Sequence, residues 1–265
     1  MTIQEENLII KVASDLREAS KSKIAIEPIR TNFEKDNISL AYQVQKINNS
    51  FREKNGAKPT GKKIGLTSKK VQEQLGVDQP DFGVLFNEMK VDSGASLSWK
   101  ETMQPKVEAE VAFVLKKDIT KKNPSLADIE DAIDYAIVSL EVVGSRIKDW
   151  NINILDTVAD NASASHYVLG TKKMKLSEFD VINCKMNMSV NGTNVSFGQG
   201  KACLGSPIIA TQWLAIQMAK LGNPLKKGEV ILSGALGPMA TVHPGDEVIA
   251  TIEGLGEVSI KFSKK

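Results

Sequence analysis

The chain has 265 residues, 42% of them hydrophobic and 25% charged, which suits a globular protein with one large domain or two small ones. Its 34 basic and 32 acidic residues leave a net charge of +2, too small to mark a surface for nucleic acid or anionic membrane. The first 20 residues scatter charges through their apolar positions, so neither a signal peptide nor a membrane span is expected there. Cys184 and Cys203 suggest no disulfide framework and fit a cytoplasmic protein. His166 and His243 are far apart and lack helical ligand spacing, which argues against a Cys/His zinc site.

Residues 3–20 carry Leu8, Ile9, Val12, Ala13 and Leu16 on one stripe, predicting a helix. Residues 36–54 predict a second, with Ile38, Ala41, Val44, Ile47 and Phe51 inward, before Gly56 and Pro59 break the pattern. "KKIGLT" is a short strand, and "SKKVQEQLG" a brief helix from a Ser68 cap to a Gly76 stop. "QPKVEAEVAFVL" alternates as a strand, with Val107, Ala109, Val111 and Phe113 on one face. "NPSLADIEDAIDYA" reads as a helix capped by Ser125, with Asp128 three positions later. "AIVSLEVVGSRI" is a strand that places Ser139 and Glu141 on one face. Ser206 and Pro207 open a late helix that stops near Gly222. The C-terminus reads as a hairpin, "DEVIATI" and "EVSIKF" about the turn "EGLG". Helices in front of a strand-rich body give an α+β class: a helical segment over 1–60, then one mixed-β unit over 61–265.

Glu108 and Glu110 share the face opposite Val107 and Ala109. At ~4 Å and an effective dielectric of ~20, two anions repel by roughly 4 kcal/mol. A wet strand face paired with lysines would tolerate them, and so would a bound cation. Glu141, among apolar residues of a second strand, is a third carboxylate needing a partner. If the three meet in one pocket, ligation by oxygen alone suits Mg²⁺ or Mn²⁺ better than zinc.

The stretches "GKKIGLTSKKVQEQLGVDQPDFGVLF", "LEVVGSRIKDW", "DTVADNASASHYVLG" and "GEVILSGALGPMATVHPGDEVIATIEGLG" resemble, in order, the fumarylacetoacetate hydrolase superfamily, and within it the 2-hydroxypenta-2,4-dienoate hydratases. The resemblance implies a strand-rich mixed β-sheet roll of the fumarylacetoacetate hydrolase C-terminal-domain type after a helical N-terminal segment. It implies a hydro-lyase that converts 2-hydroxypenta-2,4-dienoate (2-oxopent-4-enoate) into 4-hydroxy-2-oxopentanoate in the catabolism of aromatic compounds. It makes Glu108, Glu110 and Glu141 the metal ligands, Lys63 the active-site lysine, Asp81 an acid near the metal, and Ser163 a neighbour of the substrate carboxylate. Homo-oligomers, and association with a 2-oxo-enedioate decarboxylase, are implied in the same way.

Strand alternation turns Lys62 away from Lys63, toward the surface. Apart from the resemblance, Lys63 would read as a solvated strand residue, Asp81 as a turn former and Ser163 as a cap. Arg146 and Asp149 suggest a structural ion pair, and Trp99, Trp150 and Trp213 core or rim aromatics. "SGALGPMATVHPGD" lacks the phosphate-loop pattern and reads as a turn system near the pocket mouth. The superfamily's carbon–carbon hydrolases resemble one another in an early active-site His, and here none precedes residue 166. A 2-oxo-3-enedioate (4-oxalocrotonate) decarboxylase and a hydratase of longer 2-oxo-dienoates remain as alternatives, as does a metal-stabilised binding protein.

Overall fold

The computed structural model describes residues 2–33, 37–69, 72 and 77–264. Of the brief helix expected over 68–76 only residues 68, 69 and 72 are described, with the Gln72 amide donating to the Ser68 carbonyl at 3.0 Å. Helix α1 (Ile3–Ser22) starts with a reciprocal cap between Thr2 and Glu5, and buries Ile9, Val12, Ala13 and Leu16. Helix α2 (Ile38–Lys54) buries Leu40, Ala41 and Val44. Phe51 differs from the expectation: it is exposed, at the edge of the apolar stripe, with the Arg17 guanidinium 4.8 Å over its ring. Among the described residues no helix is long and apolar enough to cross a membrane.

The body contains two sheets. Strands β1 (Pro59–Gly65), β2 (Asp81–Phe86), β3 (Lys90–Asp92), β5 (Lys106–Leu115), β6 (Ile133–Val143), β7 (Ala164–Leu169) and β10 (Val230–Ala235) form the larger one, in the order β2-β1-β10-β5-β6-β7-β3. β11 (Ala240–Thr241) adds to β5. The pairs β1/β10 and β3/β7 are parallel and the rest antiparallel, so the sheet is mixed. The smaller sheet runs β4 (Ser96–Leu97), β13 (Gly256–Phe262), β12 (Glu247–Ile252), β8 (Lys185–Val190), β9 (Thr193–Gln199), and its β12/β13 hairpin is the one expected from the C-terminal alternation.

The main core lies between the sheets. Val107, Ala109, Val111 and Phe113 of β5 and Val138, Leu140 and Val142 of β6 pack with Val248, Ala250, Val258 and Ile260 of the smaller sheet. Burying each such side chain contributes roughly 1.5–3 kcal/mol, which fixes the register, because a one-residue slip would exchange the faces. The same pairing sets Glu108 opposite Glu141 and Glu110 opposite Ser139, on the reverse face.

Helix α3 (Leu126–Ala132) has the expected cap between Ser125 and Asp128 but ends at Ala132. "IDYA" belongs instead to β6, where Ile133, Tyr135 and Ile137 favour extended backbone and pair with β5. Helix α4 (Ile154–Ala159) is capped by Asn153 and Asp156. Arg30 ties α4 to the N-terminal segment, its Nη1 lying 2.6 Å from Asp156 Oδ2. Helix α5 (Pro207–Lys220) opens at Ser206 and Pro207 as expected. The three tryptophans are partly buried: Trp99 packs on Phe262, Trp213 near Phe82, and Trp150 beneath Lys106.

Candidate active site

Five adjacent strands, β2-β1-β10-β5-β6, and the turn before β7 build the site. Carboxylate oxygens from Glu108, Glu110 and Glu141 all lie within 4.8 Å of one another. Glu110 and Glu141 are fully buried, whereas Glu108 is half-buried at the rim. Glu110 Oε2 accepts from the Gly234 amide at 2.8 Å. That contact depends on a bulge in β10 between Leu232 and Ala235, where Gly234 takes φ +112. Part of the expected turn system is thus the central strand β10, whose backbone supplies a donor to the cluster.

Lys63 reaches the cluster from β1, its Nζ 3.3 Å from Glu141 Oε2 and donating to the Ala162 carbonyl at 3.0 Å. Lys62 points the other way, as alternation requires, but it is not exposed: it is buried and pairs with Glu229 at 2.9 Å. Asp81, the first residue of β2, is buried beside Gly65, where a Cβ would collide with Asp81 Oδ1. That absent side chain leaves space between Asp81 and Lys63.

Ser163 ends a turn in which Asn161, Ala162 and Ser163 all have left-handed backbone, φ 56, 51 and 58. Each costs on the order of 1 kcal/mol outside glycine and persists only where its surroundings over-determine it. Here the Asn161 side chain clasps β2, accepting from the Val84 amide and donating to its carbonyl, both at 2.9 Å. Arg146 fixes the start of the turn by pairing with Asp160, not with Asp149 as expected. Asp149 is turned aside by its own left-handed φ of 55, and its amide donates to Gln104.

Sequence reasoning missed the Gly234 amide and the Ala162 carbonyl, which are backbone groups without a residue signature. It also missed Thr157, whose Oγ1 lies 3.3 Å from Asp81 Oδ2 and 3.2 Å from Ser163 Oγ. The helical period of α4 turning toward β2 was its only available signal.

Burial raises the pKa of Glu108, Glu110 and Glu141, and neighbouring carboxylates raise them further against the pull of Lys63. Asp81 is raised by burial too, with Lys63 and Thr157 opposing. Burial disfavours the Lys63 ammonium, but Glu141, Asp81, Glu108 and Glu110 outweigh it and hold the group above the ordinary lysine range. Among the described residues Glu110 Oε1, both Glu141 oxygens and Asp81 Oδ1 have no hydrogen-bond partner, although Lys63 Nζ stands 3.3 Å from Glu141 Oε2 as an ion pair. Orphaned, buried, mutually repelling carboxylate oxygens fit a divalent cation with hard oxygen ligands, so the donor set could bind a metal.

The fumarylacetoacetate (FAA) hydrolase C-terminal family matches residues 52–263. The chain belongs to this family. It is 46% identical over 262 residues to a 2-keto-4-pentenoate hydratase of Burkholderia vietnamiensis, covering 99% of this chain and 100% of that one. It is 40% identical to a 2-hydroxyhexa-2,4-dienoate hydratase of Comamonas testosteroni over 94% of this chain and 95% of that one. Among solved structures, a 4-oxalocrotonate decarboxylase of Pseudomonas putida G7, complexed with magnesium and adipate, superposes with a TM-score of 0.93 at 31% identity, covering 98% and 99% of the two chains. Within the family the chain groups with the 2-keto-4-pentenoate hydratases, which are hydro-lyases.

Proposed function

We propose that the protein hydrates 2-hydroxypenta-2,4-dienoate to 4-hydroxy-2-oxopentanoate, with Glu108, Glu110 and Glu141 holding Mg²⁺ or Mn²⁺. The observation that carries this reading is the orphaned carboxylate cluster with Lys63 and Asp81 at its edge, in a chain 46% identical to a hydratase along nearly its whole length. Bound there, the ion would act as a Lewis acid toward the substrate's 2-oxygen.

The residues of the chain do the rest. The enol proton is lost and C5 gains one, giving a conjugated enone; water then adds at C4, and C3 takes the last proton. Lys63, with its Nζ 3.3 Å from Glu141 Oε2, anchors the substrate carboxylate or moves a proton. In this reading Asp81 Oδ1, buried and without a hydrogen-bond partner among the described residues, orients water and takes its proton, while Glu110 Oε2 is tied back by the Gly234 amide. Ser163, on its constrained turn, is in this reading a neighbour of the substrate carboxylate.

The 61–265 region works in this reading as one catalytic unit behind the helical 1–60 segment. The enzyme is cytoplasmic and homo-oligomeric, acts in aromatic catabolism, and associates with a 2-oxo-enedioate decarboxylase. Likeness to the 4-oxalocrotonate decarboxylase supports one rival, decarboxylation of a 2-oxo-3-enedioate; the hexadienoate relative supports another, a longer tail. The test is loss of dienol absorbance with Mg²⁺ for substrates with and without a terminal carboxylate, with product analysis. Turnover of the pentadienoate to the 4-hydroxy product supports the proposal, and carbon dioxide release from the enedioate alone would overturn it.

A further inference from the structure

Asp81 has two oxygens in different circumstances. Oδ2 receives the Thr157 hydroxyl at 3.3 Å, and Thr157 Oγ1 is in turn 3.2 Å from Ser163 Oγ. Oδ1 has no hydrogen-bond partner among the described residues and overlies Gly65. The space a Gly65 Cβ would occupy is also 3.2 Å from Lys63 Nζ, so the free oxygen borders the gap that the lysine faces. Asp81, Thr157 and Ser163 are all buried, which keeps water from replacing any link.

Helical threonines commonly return their hydroxyl to the carbonyl one turn back. Thr157 instead donates to Asp81 Oδ2 and shares a hydrogen bond with Ser163 Oγ, from a six-residue helix that Arg30 and the Asn153 cap hold in place. We propose that Thr157 is a positioning residue for the hydration reaction: it fixes the rotation of the Asp81 carboxylate and joins it to Ser163 in one hydrogen-bonded chain. This rests on the reading above, in which Asp81 and Ser163 meet water and substrate.

Donor counting gives the chain a direction. A hydroxyl has one proton to donate, and an ionised carboxylate can only accept. With Asp81 ionised, Thr157 donates to it and Ser163 donates to Thr157, so only lone pairs of Ser163 face the site. With a proton on Asp81 Oδ2 every link reverses, and the Ser163 proton turns outward to a substrate oxygen. Thr157 is the link that lets Ser163 respond to Asp81. Valine has the same shape and cannot make it, whereas serine can.

The experiment compares wild type, Thr157→Val and Thr157→Ser by steady-state kinetics on 2-hydroxypenta-2,4-dienoate with Mg²⁺, alongside Mn²⁺ affinity and thermal midpoints. The valine variant should lose about tenfold or more in kcat, the scale of one buried hydrogen bond, with KM and Mn²⁺ affinity near wild type. Thr157→Ser should recover kcat to within about threefold. In an Asp81→Asn background the valine change should cost nothing further. Wild-type kcat in Thr157→Val, equal loss in both variants, or losses that multiply with Asp81→Asn would each overturn the proposal. If Thr157→Val does not fold, Thr157→Ala against Thr157→Ser makes the same comparison. A wild type that leaves the dienoate unchanged overturns the hydratase reading and this proposal together; an active wild type beside an equally active valine variant overturns this proposal alone.

Discussion

Lys62 and Lys63 are neighbours on one strand, both buried, and they pair with acids on opposite faces of the sheet: Lys62 with Glu229 at 2.9 Å and Lys63 with Glu141 at 3.3 Å. Alanine at the two positions should therefore separate activity from stability. Lys63→Ala should lower kcat/KM by about a hundredfold or more, since it removes a cation that neighbours Glu141, Asp81, Glu108 and Glu110. Lys62→Ala should keep kcat/KM within a few-fold but lower stability by roughly 1–3 kcal/mol, because Glu229 loses its partner. Kinetics and denaturant titration of both variants decide it, and the reverse ranking would contradict the pairing.

Glu108→Gln, Glu110→Gln and Glu141→Gln should each weaken divalent-metal binding and nearly abolish turnover. Isothermal titration with Mn²⁺ measures the first effect, and full activity of the variants in metal-free buffer would rule out the ligand assignment.

Without metal the same carboxylates should make stability depend on pH. Their folded pKa values are raised, so their contribution is fully present below the ordinary carboxylate range and is lost as pH rises through the raised values. Chelated wild type should become less stable as pH climbs above about 4.5. Glu110→Gln should flatten that decline, and Mg²⁺ should offset it; thermal midpoints against pH with and without chelator test both.

Chelated enzyme should regain activity with Mg²⁺ or Mn²⁺, and zinc should not be the best activator, since the cluster offers oxygen ligands only. Activation by zinc alone would require His166 or His243 in the site.

His166 is pushed down to about 4 by burial and by the charges of Lys23, Arg52 and Arg146. The unfolded chain takes up a proton near pH 6.5 and the folded one does not, so stability should fall as pH drops from 6.5 toward 4 and level off below. Relative to His166→Gln the loss should be roughly 3 kcal/mol, at ~1.4 kcal/mol per pKa unit. Parallel pH profiles of unfolding free energy would contradict it.

Much of the site was legible because strand parity is a local property. The alternation of Glu108 and Glu110 against Val107 and Ala109, and of Lys62 against Lys63, follows from a period of two once the strands are recognised. Capping pairs such as Ser125 with Asp128 are equally local. What escaped was non-local or without a side-chain signature. Thr157 meets Asp81 across 76 positions of chain, and Arg146 chooses Asp160 over a nearer aspartate because backbone turns set their directions. At "IDYA" a helical pattern overlapped a β-branched one, and pairing with β5 settled the outcome.

Gln45, buried on α2, donates through Nε2 to the carbonyls of Phe82 and Val158, each at 2.9 Å. Those residues directly follow Asp81 and Thr157, and Tyr42 stacks on Phe82 with ring centroids 4.5 Å apart. The front helices thus act as a splint across the two backbone segments whose side chains meet at the acid. Slackening α2 would shift Asp81 and Thr157 together, so substitutions on a helix outside the carboxylate cluster acquire a mechanical route to turnover.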